Sequence, residues 1–214
     1  MGHPQAVGCC AYARQGRPGA AREVMALPGL IAPPGERAAG PDGRAAPIPL
    51  RGMLGRALPV SVAIPKIGVH ATLARVGRGR DGAIVPPPGR DRDRAGWYER
   101  GPSPGEPGAA VLVGHLATSS GPAVFARLRE LRPGDLIGVV RADDTVAVFR
   151  MVSAEQAPKG SFPAARVHAS GGRPELRLIT CAGRYDRARR AYDDNLIVYA
   201  TFAAAYRLTD LVRT

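Results

Sequence analysis

The sequence predicts a mainly β protein, a closed or nearly closed barrel of short strands with one or two short helices. Three observations carry this. Short apolar runs of strand type recur from Leu58 to Phe202. Gly and Pro, 27 and 21 of 214 residues, interrupt nearly every one of them. A helical period is convincing in a single interior stretch. Many short strands, frequent turns and little helix make the pattern of a sheet closed on itself.

The elements follow in order. Residues 1–56 are rich in Ala, Gly, Pro and Arg and hold neither period, so they read as a mostly disordered leader; residues 57–214 form the folded domain. "PVSVAIPKIGVHATLARVG" holds two strands punctuated by Pro65 and Gly68, and "DGAIVPPPGR" a brief strand that prolines end. "AGWYERG" supplies an aromatic strand, and Ala109 to Val113 an apolar one. "GPAVFARLREL" is the interior helix, with Pro122 in its first turn and Val124, Phe125, Leu128 and Leu131 on one face. Further strands are Leu136 to Arg141, Thr145 to Val152, Leu176 to Cys181 and Leu196 to Phe202, with "RADDTV" as an acid-tipped hairpin. "AAAYRLTDLVRT" reads as a short surface helix.

Composition limits the function classes. The net charge is +12, but only Lys66 and Lys159 among the 30 basic residues are lysines. The arginines are scattered, with no basic stripe interleaved with aromatics, so the reading is no nucleic-acid partner. A general attraction to anionic surfaces, a membrane surface included, is compatible with the charge. Cys9, Cys10 and Cys181 make no disulfide framework. His3, His70, His115 and His168 lack zinc-ligand spacing, and no metal or cofactor is expected. The run from Val24 to Ala32 is too short and too broken to span a membrane, and the first residues lack the order of a signal peptide.

The chemistry gathers at strand ends. In "ELRLITCAGRYD", strand alternation puts Arg177, Ile179 and Cys181 on one face and Leu176, Leu178 and Thr180 on the other. The thiol comes last, beside the small Ala182 and Gly183. A buried core cysteine is one reading of it, a nucleophile the other. His115 ends "AAVLVGH" in the same way, and the two together fit a nucleophile with an acid–base partner. "RYDRARRAYDDN" offers Arg184, Arg187, Arg189 and Arg190 as donors to an oxyanion.

These residues, with "VLVGHLATSSGPAVFARLRELRPGDLIGVV", "VFRMVSAEQAPKGSFPAARV" and "YDDNLIVYATF", resemble the sortases, nearest to the actinobacterial class F, from about Val60 to Phe202. The resemblance implies an eight-stranded barrel and a cysteine transpeptidase. Such an enzyme cleaves a sorting signal similar to Leu-Pro-x-Thr-Gly on surface proteins, through a thioester, and passes it to an amine of a peptidoglycan precursor. It implies an extracytoplasmic, envelope-associated protein. By motif, His115 and Cys181 are catalytic, and Thr180 contributes at the oxyanion site. Where relatives read Tyr-Arg-Asp-Asn, this chain reads "YDDN", with Asp193 in the arginine's place. Arg190 is then the expected third catalytic group and Arg187 the second choice, a substrate contact. Ala182 and Ala117 are smaller departures. Two other readings stay open: a peptide-binding module of the same fold with weakened turnover, and a thiol peptidase that mainly hydrolyses.

Overall fold

The computed structural model describes residues 47–211. The leader's first 46 residues, with Cys9, Cys10, His3 and the run from Val24 to Ala32, lie outside the described residues. Among the described residues are ten strands: β1 (Pro59–Ile64), β2 (Val69–Val76), β3 (Ala95–Tyr98), β4 (Gly108–Val113), β5 (Ala117–Thr118), β6 (Gly121–Pro122), β7 (Leu136–Arg141), β8 (Thr145–Pro158), β9 (Pro174–Asp186) and β10 (Ala191–Arg207). Eight of them close into a barrel in the order β1-β2-β3-β4-β9-β10-β8-β7, and β5 and β6 form a separate small hairpin. The β1–β7 pairing closes the ring, with Val62 opposite Val139. The β2–β3 and β4–β9 pairs are parallel.

Alternation along β9 sorts its residues as the sequence predicts. Leu176 and Leu178 point inward, into a core with Trp97, Phe149, Ile137 and Val198. Ile179 points outward and is covered by Val111, Val113, Ile197 and Val167. Val167 belongs to α1 (Ala164–His168), so this short helix roofs the outer face of β9. Burying side chains of this size stabilises by about 1.5–3 kcal/mol each. The strand is therefore fixed from both faces up to the residue before the thiol.

The paired strands run longer than their apolar cores. β8, β9 and β10 extend to Pro158, Asp186 and Arg207 because ladder bonds between backbones do not require apolar side chains. The terminal helix α2 (Leu208–Leu211) consequently begins only at Leu208.

The interior helix expected over "GPAVFARLREL" is corrected to a single 3₁₀ turn at Leu128–Glu130. Its backbone donors are spent elsewhere. Ala123 N–H donates to Leu116 O, Val124 N–H to Arg92 O and Phe125 N–H to His115 O, at 3.1, 2.8 and 3.0 Å. Gly121–Pro122 is strand β6 instead of a first helical turn. The apolar face survives the change, since Phe125, Leu128 and Leu131 are all buried. The brief strand in "DGAIVPPPGR" reduces to one bridge, Arg78 to Ile84. Residues 47–56 carry no regular element but are tied to the barrel, with Leu50 N–H on Ala205 O and Leu54 N–H on Gly105 O.

Candidate active site

Register brings the two strand ends together. Val113 of β4 pairs with Ile179 of β9, and Gly114 N–H donates to Ile179 O at 3.0 Å. Cys181 lies two residues past that rung on β9, and His115 lies two residues past it in the segment that leaves β4. On the other side, Cys181 pairs with Asn195 of β10, which pairs with Ala157 of β8. The rung Ala157–Asn195–Cys181 thus carries the thiol on the same outward face as Ile179.

The outward face opens at its last residue. Arg177 is 4% exposed and Ile179 8%, whereas Cys181 is only half-buried. The thiol lines a cleft of about 210 Å³ with Ala182, Gly183, Leu116, Phe125, Tyr192 and other neighbours.

Local packing positions the histidine. Gly114 is required by close approach: a Cβ there would lie 2.6 Å from Phe125 Cδ2 and 2.7 Å from Val124 Cγ1. The fully buried Phe125 seats against this glycine, and its N–H holds His115 O. The imidazole Nε2 lies 2.7 Å from the carbonyl oxygen of Pro87. A carbonyl only accepts, so Nε2 carries the hydrogen and Nδ1 of the neutral ring keeps its lone pair. The triple-proline segment, expected only to end a strand, therefore sets the tautomer.

Thr180 is 3% exposed, and by alternation its side chain faces away from the thiol. Its hydroxyl finds no hydrogen-bond partner among the described residues. Arg187 and Arg190 lie in the turn between β9 and β10. The last rung of that hairpin is Asp186–Ala191, five residues beyond Cys181, a rise of about 17 Å. The turn is held there by Asp186, which accepts from Ala188 N and Arg189 N at 2.8 and 3.1 Å, and by edge-to-face contact of Tyr185 and Tyr192. Arg190 has φ +50°, is exposed, and does not line the cleft. Asp193 sits at the irregularity between Tyr192 and Asp194; a Cβ on Gly183 would come 2.2 Å from its Oδ1. Its carboxylate is therefore next to the backbone two residues past the thiol.

Sequence reasoning missed two cations at the cleft. Lys159 follows β8 by one residue, and its ammonium lies 3.7 Å from Cys181 Sγ. Arg129, from the 3₁₀ turn, contributes to the cleft wall. The rarity of lysine in this arginine-rich chain was the available signal for Lys159. Gln156 also reaches the site, where its amide donates to Asp194 Oδ2 at 2.6 Å.

Comparison with known proteins agrees with this architecture. A family model described as a sortase domain matches residues 62–203. The chain belongs to the sortase family. Solved sortases superpose on it at low identity. SrtA sortase from Actinomyces oris is 25% identical with a TM-score of 0.55, over 77% of this chain and 89% of that one. Sortase C-3 from Streptococcus pneumoniae is 16% identical, TM-score 0.54, over 72% of this chain and 66% of that one, just under two thirds of its length. A Clostridium perfringens Sortase D5 transpeptidase is 21% identical, TM-score 0.51, over 69% and 79%. No curated protein matches this sortase.

Proposed function

We propose that this sortase is a cysteine transpeptidase of the class F type, acting on a Leu-Pro-x-Thr-Gly-like sorting signal. The observation that carries the reading is that His115 and Cys181 each lie two residues past the same β4–β9 rung, with the thiol opening into a cleft. The Cys181 proton passes to His115 Nδ1, and the sulfur attacks the threonine carbonyl carbon of the signal. The carbonyl electron pair moves to oxygen. Collapse of the tetrahedral species reforms the carbonyl and breaks the C–N bond, while His115 returns its proton to the departing glycine nitrogen. A thioester remains on Cys181. An amine, as on a peptidoglycan precursor, attacks it, loses its proton to His115, and releases the thiol.

The acceptor chemistry puts the protein on the outer side of the cell envelope. No helix among the described residues is long and apolar enough to cross a membrane.

The test is a panel of quenched Leu-Pro-x-Thr-Gly-type peptides with an added amine, read by product mass. Cleavage and amine adducts are expected from the native chain and none from Cys181→Ala. Equal inactivity of the two across the panel overturns the enzyme reading.

A second reading is favoured by Asp193. A carboxylate beside Gly183 opposes negative charge developing nearby, which fits a module that binds the signal with weakened turnover. Intact mass separates the two: a thioester on Cys181 supports the enzyme, and saturable binding without an adduct supports the module. Hydrolysis that persists at saturating amine would identify a thiol peptidase.

A further inference from the structure

We infer that Lys159 is a catalytic residue of this site, the cation that stabilises negative charge on Cys181 sulfur and on the oxyanion formed beside it. The inference rests on the cysteine-nucleophile reading above and goes beyond it by assigning the positive charge to a residue outside the arginine-rich hairpin.

Topology puts Lys159 there. β8 carries Ala157 on the same rung and face as Asn195 and Cys181. Lys159 is two residues further on, in a 3₁₀ turn (Lys159–Ser161) that begins as the strand ends. Its side chain thus reaches back over the rung from the β8 side, on the flank of β9 opposite to β4 and His115. Attack turns a thiol into a thioester by way of an oxyanion, and thioester collapse regenerates sulfur bearing a negative charge. An ammonium 3.7 Å from sulfur attracts the negative charge that forms on the sulfur and on the oxyanion beside it.

The competing cations are placed less well. Arg187 and Arg190 are exposed in a turn beyond the Asp186–Ala191 rung. Arg129 lines the cleft, but among the described residues the cation within hydrogen-bond distance of the sulfur is Lys159. The position level with Gly183 holds the carboxylate of Asp193, of the wrong sign. The chain has just two lysines, and one of them supplies the charge in contact with the thiol.

Alkylation of Cys181 in the full chain reads this charge without any peptide substrate. Anionic iodoacetate and neutral iodoacetamide attack the same sulfur, so their rate ratio reports the local field. Lys159→Gln is expected to lower the iodoacetate-to-iodoacetamide ratio about fivefold at low salt, the effect of one charge at this distance in a largely aqueous setting. Lys159→Arg is expected to keep the ratio within about twofold. Circular dichroism checks that each variant is folded, and the exposed position makes folding of both expected. In peptide assays Lys159→Gln lowers kcat with little change in KM, because the charge acts on species formed after binding.

An unchanged ratio in Lys159→Gln overturns the assignment, as does a fall produced by Arg129→Gln or Arg190→Gln in its place. A peptide adduct that resists hydroxylamine and maps to Lys159 also overturns it, since the amine would then be an acyl acceptor. A chain that cleaves no peptide but shows the fivefold ratio change keeps Lys159 as the charge beside sulfur and loses only the transpeptidase reading.

Discussion

His115 donates its Nε2 hydrogen to the carbonyl oxygen of Pro87 at 2.7 Å, and this contact decides which edge of the imidazole is left for chemistry. His115→Ala is expected to lower transfer by about 10²–10⁴-fold, the usual yield of a positioned acid–base group. The side chain is half-buried at a strand end, so stability should fall by only about 1 kcal/mol, the value of one hydrogen bond. Single-turnover acylation and urea unfolding measure the two effects separately.

Gly114→Ala should be harmful in both respects. The new methyl would meet Phe125 and Val124 well inside contact distance. Overpacking of this kind costs about 1–3 kcal/mol, and relief requires Phe125 to withdraw from His115. A lowered urea midpoint with a disproportionate loss of acylation is expected. An unchanged rate would mean that Phe125 does not set the histidine's position.

Arg190→Gly separates stability from catalysis at the hairpin tip. A left-handed backbone costs a non-glycine residue about 1 kcal/mol, which glycine avoids. The midpoint is expected to rise slightly while peptide turnover stays within about twofold. A tenfold loss of turnover would return the third catalytic role to Arg190.

Asp193→Asn removes a carboxylate that opposes the developing oxyanion from beside Gly183. Because Asp193 is exposed and screened, the gain in acylation rate should be about threefold and should shrink in high salt. A fall in rate would point instead to a role for Asp193 in holding the acceptor amine.

Stability should decline as pH drops through the histidine range. Burial, and then the positive charges of Arg78 and Arg177, hold His168 below its ordinary value of 6.5. Arg78 Nη2 lies 3.2 Å from His168 Nε2, a bond the neutral ring can accept and the protonated ring cannot. The unfolded chain therefore binds this proton more readily than the folded one. The contribution is present above about pH 6.5 and is lost as pH falls below it. Glu155, held below its ordinary value chiefly by Tyr199 and also by Arg166, adds a second loss below about pH 4.5. Thermal melts of His168→Gln should flatten the first decline and leave the second.

Much of the barrel was legible because strand alternation and burial coincide. Leu176, Leu178 and Ile179 declare their faces in the sequence, and "LIGVVR" is bounded by its own turn residues. What could not be read depended on partners distant in sequence. The "GPAVFARLREL" segment has the apolar spacing of a helix, but its N–H groups are claimed by Leu116, Arg92 and His115 carbonyls. The roofing helix Ala164–His168 is too short for a period to show. The candidates Cys181 and His115 stood out because each ends an apolar strand pattern beside a small residue. Lys159 did not, because only the β8–β10–β9 registers bring it to the sulfur. Arg190 was attractive as a neighbour in sequence, but it lies in the turn beyond the Tyr185–Tyr192 and Asp186–Ala191 rungs and does not line the cleft.

Closure of the eight strands has one more consequence. The wall strands have partners on both flanks for much of their length, but β8 beyond Met151 and β9 beyond Ile179 are paired with β10 alone, so the unpaired borders are confined to the rim that carries Cys181. A guest peptide arriving at that rim meets these borders together with the side chains and connecting segments around them. Swapping those segments between distant members should therefore transplant preference while leaving the wall, and its resistance to unfolding, largely intact.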